Sequence, residues 1–141
     1  MQTPNKKTPI FPIAVGYWKN EDRLNFPDPS EFVNPTIPLD LRNTIATYLE
    51  NGERFIAYLG HSWCRFKCGV ADYEMGASCF TDGLYCWPEG LSHYIRVHNV
   101  WLPKEFIDHV VQNKNRDWNA VDRSTLYLPD YTWWEQQQLD H

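Results

Sequence analysis

A chain of 141 residues is long enough to bury a hydrophobic core as one domain. Its residues are 43% hydrophobic and 16% aromatic, a composition that excludes an intrinsically disordered protein. The formal net charge is -5, and no block of Lys and Arg occurs beyond Lys6 and Lys7. Nucleic acid is therefore not an expected partner, because phosphate-binding proteins need a basic surface.

The sequence contains no apolar run of 18 residues and no secretory signal pattern near its first residue. We therefore expect a cytoplasmic protein that has no membrane partner. Its four cysteines, Cys64, Cys68, Cys79 and Cys86, lie within 23 residues. In a reducing compartment such clustering favours a metal site or free thiols over disulfides.

Residues 1–38 contain seven of the ten prolines, so regular helices and central strands are not expected there. The segment is nevertheless rich in aromatic and branched residues, which is unusual for a linker. We predict an extended arm that packs across the domain, with one helical turn at residues 28–32 near Asp28 or Ser30.

Residues 39–112 are predicted to form the core. A helix is expected over residues 40–51 from the spacing of its apolar residues, with Asp40 as its cap. Strands are expected over 53–60, 76–80 and 84–87. The last two strands are joined by Asp82-Gly83, a pair typical of a hairpin turn because Gly readily adopts a positive φ.

Two more helices are expected over residues 88–98 and 103–112, with Pro88 and Pro103 in their first turns. Residues 113–141 are predicted to form a polar loop and then a short C-terminal element that docks two tryptophans. The predicted fold class is α+β: a small antiparallel sheet with about three helices packed against it.

Two closely spaced pairs of metal-ligating side chains flank the predicted hairpin. Cys64 and Cys68 follow the first predicted strand, and His93 and His98 lie on the helix after the hairpin or at its end. Zinc favours four tetrahedral Cys or His ligands, often supplied as two such pairs. The five-residue step between the histidines turns an ideal helix by about 140° net, so its last turn must loosen for both to reach one ion. This spacing favours a structural zinc site.

A metal-free interpretation stays open. Cysteines are commonly buried as small apolar residues, and the helix dipole favours a positive His98 at a helix C-terminus. Cys79 and Cys86 flank the hairpin turn and could be rival ligands, a disulfide or core thiols. Of these three, we favour core thiols.

Catalysis is a second interpretation: a metal-dependent hydrolase that uses Glu89, or a thiol hydrolase that uses Cys64. Glu89 also has a structural explanation in the first turn of a helix, and Asp82 has one as a turn residue. His61 and His109 are expected at solvated positions. Because no phosphate loop, dinucleotide fingerprint or nucleophile elbow is present, we favour a protein that is not an enzyme.

A set of short motifs lies between residues 24 and 110, a range that also includes Phe26-Pro-Asp-Pro29 and the helix end Tyr48-Leu-Glu-Asn-Gly52. The motifs are Gly60-His-Ser-Trp-Cys-Arg-Phe-Lys-Cys-Gly69, Thr81-Asp-Gly83, Trp87-Pro-Glu-Gly-Leu91, His93-Tyr94, His98 and Leu102-Pro103 with Phe106. The resulting pattern, C-R-x-x-C-G, T-D-G, W-P-E-G-L-x-H-Y, H, L-P-x-x-F, resembles that of a family of small bacterial proteins of unknown activity. The resemblance implies a bacterial cytoplasmic protein and brings no known reaction, cofactor or catalytic residue.

The leading functional interpretation is a binding or regulatory module whose zinc ion is held by Cys64, Cys68, His93 and His98. The third interpretation is a metal-free inhibitor or immunity-type protein, for which the acidic charge and the many Trp and Tyr residues suit an interface. A protein partner is thus an expectation, and the oligomeric state is left open.

Overall fold

The computed structural model describes residues 8–58, 61–117 and 121–137. Its strands are β1 (Ile13–Ala14), β2 (Glu53–Ala57), β3 (Ser78–Thr81) and β4 (Tyr85–Pro88). Its helices are α1 (Leu39–Glu50), α2 (Asp72–Met75), α3 (Leu91–Val97), α4 (Lys104–Asn113) and α5 (Thr132–Glu135). Short 3₁₀ helices span Pro29–Phe32 and Arg123–Thr125.

The four strands form one mixed sheet in the order β1-β4-β3-β2. Strand β3 pairs antiparallel with both β2 and β4, and the hairpin turn contains Gly83 at a φ of 97°. Thr81 closes the hairpin by donating its hydroxyl to the carbonyl of Tyr85 at 2.7 Å. The predicted α+β fold is therefore confirmed, including the Asp-Gly hairpin.

The proline-rich arm supplies the one parallel strand of the described sheet. Ile13 and Ala14 pair with Tyr85 and Cys86 of β4. Only two residues of the arm pair in this way, so no alternating pattern in the sequence predicts the strand. The helical turn expected after Asp28 is confirmed, since this carboxylate accepts from the backbone N–H of Ser30 at 2.9 Å. Residues 1–7 of the predicted arm lie outside the described residues.

The observed ranges of α1 and α4 match the predicted ranges closely, whereas the region around Pro88 differs from its prediction. The prediction that Pro88 and Glu89 begin a helix is wrong: Pro88 is the last residue of β4, and α3 begins at Leu91. The N–H of Glu89 bonds to the carbonyl of Ser78 at 2.9 Å, so pairing with β3 continues past the proline. The predicted Asp40 cap is also wrong, because Pro38 occupies the N-cap position of α1.

The core lies between the helices and the sheet. Helix α1 packs against both α3 and α4, and fully buried Trp87 of β4 donates its indole N–H to the carbonyl of Leu49 at 2.9 Å. The arm adds a second aromatic layer in which Trp18 packs against Trp134. Trp134, predicted to dock, is fully buried. No helix of the described residues is both long enough and apolar enough to cross a membrane.

Candidate metal centre

The two predicted ligand pairs converge at one point. The nearest sulfur or ring-nitrogen atoms of Cys64, Cys68, His93 and His98 all lie within 4.8 Å of one another. The Cys64 Sγ is 3.4 Å from His98 Nε2, and the Cys68 Sγ is 3.4 Å from His93 Nε2. Bond lengths of about 2.3 Å to sulfur and about 2.0 Å to nitrogen place tetrahedral ligands about 3.5 Å apart. The four side chains thus form a group that could hold a metal ion.

A tight turn brings the two sulfurs to one side. The N–H of Lys67 bonds to the carbonyl of Cys64 at 3.0 Å, and Lys67 has a φ of 52°. Gly69 follows at a φ of 90°, a region that side chains other than Gly rarely adopt. This segment, residues 61–69, is called the knuckle below.

The way in which α3 ends allows His93 and His98 to approach each other despite their five-residue spacing. His93 lies within the helix, while His98 is its C-cap residue, with φ -113° and ψ 9°. Asn99 then adopts a left-handed conformation, and the N–H of Val100 bonds to the carbonyl of Tyr94 at 3.2 Å. A left-handed residue directly after the C-cap is a common way for a helix to end. Because His98 is outside the regular helix, both imidazoles reach the same place.

The ligand side chains are only partly shielded from solvent. Cys64 is buried, Cys68 is exposed, and the histidines are half-buried. Burial lowers the pKa of both histidines, and His98 lowers that of His93 further. Neutral imidazole is the form that binds metals. Burial raises the pKa of the Cys64 thiol, so a thiolate there needs a positive partner.

Tyr94 attaches the knuckle to α3 without any metal. Its hydroxyl accepts from the N–H of Arg65 at 2.9 Å and donates to the carbonyl of Trp63 at 3.2 Å. Phe66 stacks on the ring of His98, with centroids 4.5 Å apart. Sequence reasoning did not assign a role to Tyr94 or Phe66. The only local signal is that Tyr94 follows His93 and Phe66 lies between the two cysteines.

A cavity of about 340 Å³ lies beside the knuckle. The knuckle contributes His61, Ser62, Trp63 and Arg65 to its wall, and Glu89 contributes a carboxylate. Glu89 accepts from the N–H of Ala77 at 3.3 Å and lies 3.9 Å from Arg54. It does not belong to the four-residue ligand group. The expectation that His61 is exposed is confirmed.

The expectation that His109 is solvated is wrong. Its Nε2 lies 2.6 Å from Oδ2 of Asp82, and only 16% of its side chain is exposed. The same Asp82 oxygen accepts from the hydroxyl of Tyr48 at 2.6 Å, while Oδ1 accepts from the N–H groups of Leu84 and Tyr85. Asp82 is a turn residue as predicted, but it is also a buried hub for side chains of α1 and α4.

Cys79 and Cys86 are fully buried free thiols outside the metal-ligating group. Cys79 Sγ lies 2.6 Å from the hydroxyl of Tyr17. Among the alternatives left open by the sequence, core thiols are therefore the one that the fold supports. Among the described residues, Cys64 and Cys68 are the only cysteines in a metal-ligating group.

Comparisons with protein-family models, curated proteins and solved structures found no match to this chain. The resemblance to a bacterial family stays a prediction. Functional inference therefore depends on the geometry of the chain itself.

Proposed function

We propose that the protein is a small, non-enzymatic binding module in which a structural zinc ion clamps the knuckle to α3. The observation that carries this proposal is the convergence of the four ligand atoms of Cys64, Cys68, His93 and His98 within 4.8 Å. Sulfur and imidazole ligands suit zinc among the common metals of proteins.

The proposed zinc is structural because the protein supplies a complete set of four ligands. Catalytic zinc sites usually have three protein ligands and keep a fourth position for water. The clamp joins segments about 30 residues apart in the chain, so zinc binding would stabilise the folded state. It would hold the wall of the neighbouring cavity in place.

The hydrolase alternative has less support. The Glu89 carboxylate is engaged by Ala77 and Arg54 and is outside the ligand group. A thiol nucleophile needs a lowered pKa, whereas burial raises that of Cys64. We therefore assign neither residue a catalytic role in the proposal.

We further propose that the module acts in the cytoplasm of a bacterial cell. The cytoplasmic location is supported by the four free thiols, which a reducing compartment maintains. A protein partner is part of the same proposal, supported by exposed aromatic side chains such as Trp63 and Tyr73. In this proposal, the function of the zinc-clamped fold is to bind that protein partner.

The test is metal analysis of untagged protein by mass spectrometry, with Cys68→Ser and His98→Ala as variants. We expect about one zinc per chain in the parent protein and much less in either variant, since each variant lacks one member of the closed set of four ligands that structural zinc sites use. Cys68 is exposed, so its replacement by Ser leaves the hydrophobic core intact.

Cys79→Ala is the matched control, because it removes a thiol outside the ligand group. It should keep its zinc whatever its effect on stability. Absence of stoichiometric metal in the parent protein, or equal zinc in all four proteins, would contradict the proposal. An X-ray absorption spectrum should show two sulfur and two nitrogen ligands.

A further inference from the structure

The cavity beside the knuckle has the size and the lining of a ligand site. Its volume of about 340 Å³ lies within the usual range for small-molecule pockets. Seven aromatic side chains line it: Tyr17, Trp18, Phe26, Tyr58, Trp63, Tyr94 and Tyr131. Aromatic walls with a few polar groups are typical of pockets that bind flat organic molecules.

The charges in the wall favour an anion. Arg23 and Arg65 both line the cavity, and within residues 8–58, 61–117 and 121–137 neither pairs with a carboxylate. The wall contains one carboxylate, Glu89, and that group already lies against Arg54. Among the described residues, the wall therefore holds two cations that have no carboxylate partner and one carboxylate that already has a cation, although the whole chain carries a net charge of -5.

The aromatic faces argue against a cationic ligand. The Arg23 guanidinium lies 5.0 Å from the ring centre of Tyr131 and 5.1 Å from that of Phe26. The Arg65 guanidinium lies 4.1 Å from the ring centre of Trp63. Because the protein's own cations already occupy these faces, a second cation would meet like charge instead of an open aromatic cage.

The two arginines differ in their free donors. The Arg65 guanidinium donates to the carbonyls of Trp63, Trp18 and Lys19, which fixes its position. No hydrogen bond from the Arg23 guanidinium to another described residue is present. Arg23 can therefore offer its planar fork of N–H groups to an oxyanion while remaining stacked.

Trp18 contributes its ring to this wall and not a donor. Its indole N–H has no acceptor among the described residues, but the nitrogen is closed off from water-sized molecules and therefore from a ligand in the cavity. Glu21 and Asp22 are not among the residues that line this cavity; they line a neighbouring depression that shares Asn20 and Trp63 with it.

We propose that this cavity binds a small aromatic anion, with its ring against the aromatic wall and its carboxylate on Arg23 and Arg65. The inference rests on the proposed function in one respect: the zinc clamp holds the knuckle, which carries Trp63 and Arg65. It goes beyond that function by adding a small-molecule ligand to the protein partner proposed above.

The test uses three probes of similar shape and different charge: indole-3-acetate, indole-3-acetamide and tryptamine. Calorimetric titration of the full chain at pH 7, with its zinc content measured beforehand, should give saturable one-to-one binding of the anion below about 1 mM. The neutral amide should bind about tenfold more weakly, because it loses a charge-assisted hydrogen bond. Tryptamine should not bind.

Arg23→Gln should weaken indole-3-acetate binding about tenfold and leave the amide unchanged. Arg123→Gln is the matched control, since Arg123 is exposed and does not line the cavity. Its affinity for the anion should equal that of the parent protein.

Equal affinity for all three probes, no saturable anion binding, or no effect of Arg23→Gln would overturn this inference. Zinc content separates the two proposals. A zinc-loaded chain that fails to bind the anion overturns the ligand site alone, whereas anion binding by a chain that holds no zinc overturns the clamp alone.

Discussion

Two regions of this protein join distant segments through polar side chains, and they do so by opposite means. In the hydrogen-bonded hub, Asp82 contacts His109 and Tyr48 at 2.6 Å. In the metal-ligating group, the contacts between sulfur and imidazole are 3.4 Å long. The first region satisfies its own polar atoms, whereas the second has the spacing of ligands around an ion.

The difference teaches how a site for an external group can be distinguished from a structural network. The Asp82 side chain is fully buried, and both of its oxygens accept hydrogen bonds from other groups of the chain. The metal-ligating group is partly exposed and has no carboxylate or Lys in it. Buried polar groups must be hydrogen-bonded within the protein. Partly exposed thiols and imidazoles can instead be solvated by water until they bind an ion.

The largest expected effect follows from breaking the hub. Asp82→Ala would remove the carboxylate that Tyr48, His109 and two backbone N–H groups contact. We expect a loss of about 3–5 kcal/mol in the free energy of unfolding, measured by urea denaturation. Asp28→Ala is the control, because that carboxylate accepts only local, exposed bonds at a 3₁₀ helix; its cost should be about 1 kcal/mol. Loss of zinc from Asp82→Ala under native conditions would show that the two regions are not independent.

Removal of the metal should have the next largest effect. Under the clamp proposal, a strong chelator should lower the free energy of unfolding by about 4 kcal/mol if free zinc had been about 1,000 times its dissociation constant. Thermal unfolding with and without the chelator measures this change. The Cys68→Ser variant provides the control, because its melting temperature should not respond to chelator. An equal response in both proteins would mean that the chelator acts elsewhere.

Tyr94→Phe tests the attachment that needs no metal. The substitution leaves the N–H of Arg65 without the hydroxyl that it contacts at 2.9 Å, and we expect a cost of about 1–2 kcal/mol. Hydrogen exchange should become faster in the knuckle, while the protection of the β3-β4 hairpin stays the same. Tyr127→Phe, at a half-exposed ring, should change neither. If hydrogen exchange in the knuckle is unchanged in Tyr94→Phe, the Tyr94 hydroxyl does not hold the knuckle to α3.

The smallest expected effect is a loss of folding stability at low pH. Burial by itself raises the pKa of Asp82, but hydrogen bonds from His109, Tyr48 and two backbone N–H groups together lower it below its ordinary value. A carboxyl with a lowered pKa in the folded state stabilises the protein above its unfolded pKa of about 3.9, and this stabilisation is lost as pH falls through the folded pKa. Arg116 also lies 3.8 Å from the Asp82 carboxylate.

The stability gap between the parent protein and Asp82→Asn should therefore narrow below about pH 4. Urea midpoints at pH 7, 5 and 3 measure the gap. Chelator in every sample removes any contribution of metal release. A gap that stays constant over this range would show that the ionised carboxylate of Asp82 does not stabilise the fold.

Local signals in the sequence were enough to locate most of the elements that carry the metal-ligating group. The apolar spacing placed α1 within one residue of its observed ends, and the Asp82-Gly83 pair placed the hairpin. Around Pro88 the rule that proline favours the first turn of a helix gave the wrong prediction. Its missing N–H suits a first helical turn, but it is equally tolerated at the end of β4, where pairing with β3 determines the outcome.

His109 shows why the rest could not be predicted. It lies away from the apolar stripe of Phe106 and Val110, and this periodicity alone predicts a solvated position. Its partner, Asp82, is 27 residues earlier, and the two meet only because α4 packs beside the hairpin turn. The same applies to the cavity, whose arginines come from the arm and the knuckle.

The sequence by itself determined the chemistry that is available: two short-spaced pairs of soft ligands, an acidic chain and an unusual number of aromatic residues. Ligand pairs are visible in a sequence because their members are only a few residues apart. Tertiary structure alone decided that the two pairs meet, that Asp82 and His109 are buried together, and that two arginines share an aromatic cavity. Those contacts depend on how helices and sheet pack, and packing joins residues whose separation in the chain carries no periodic signal.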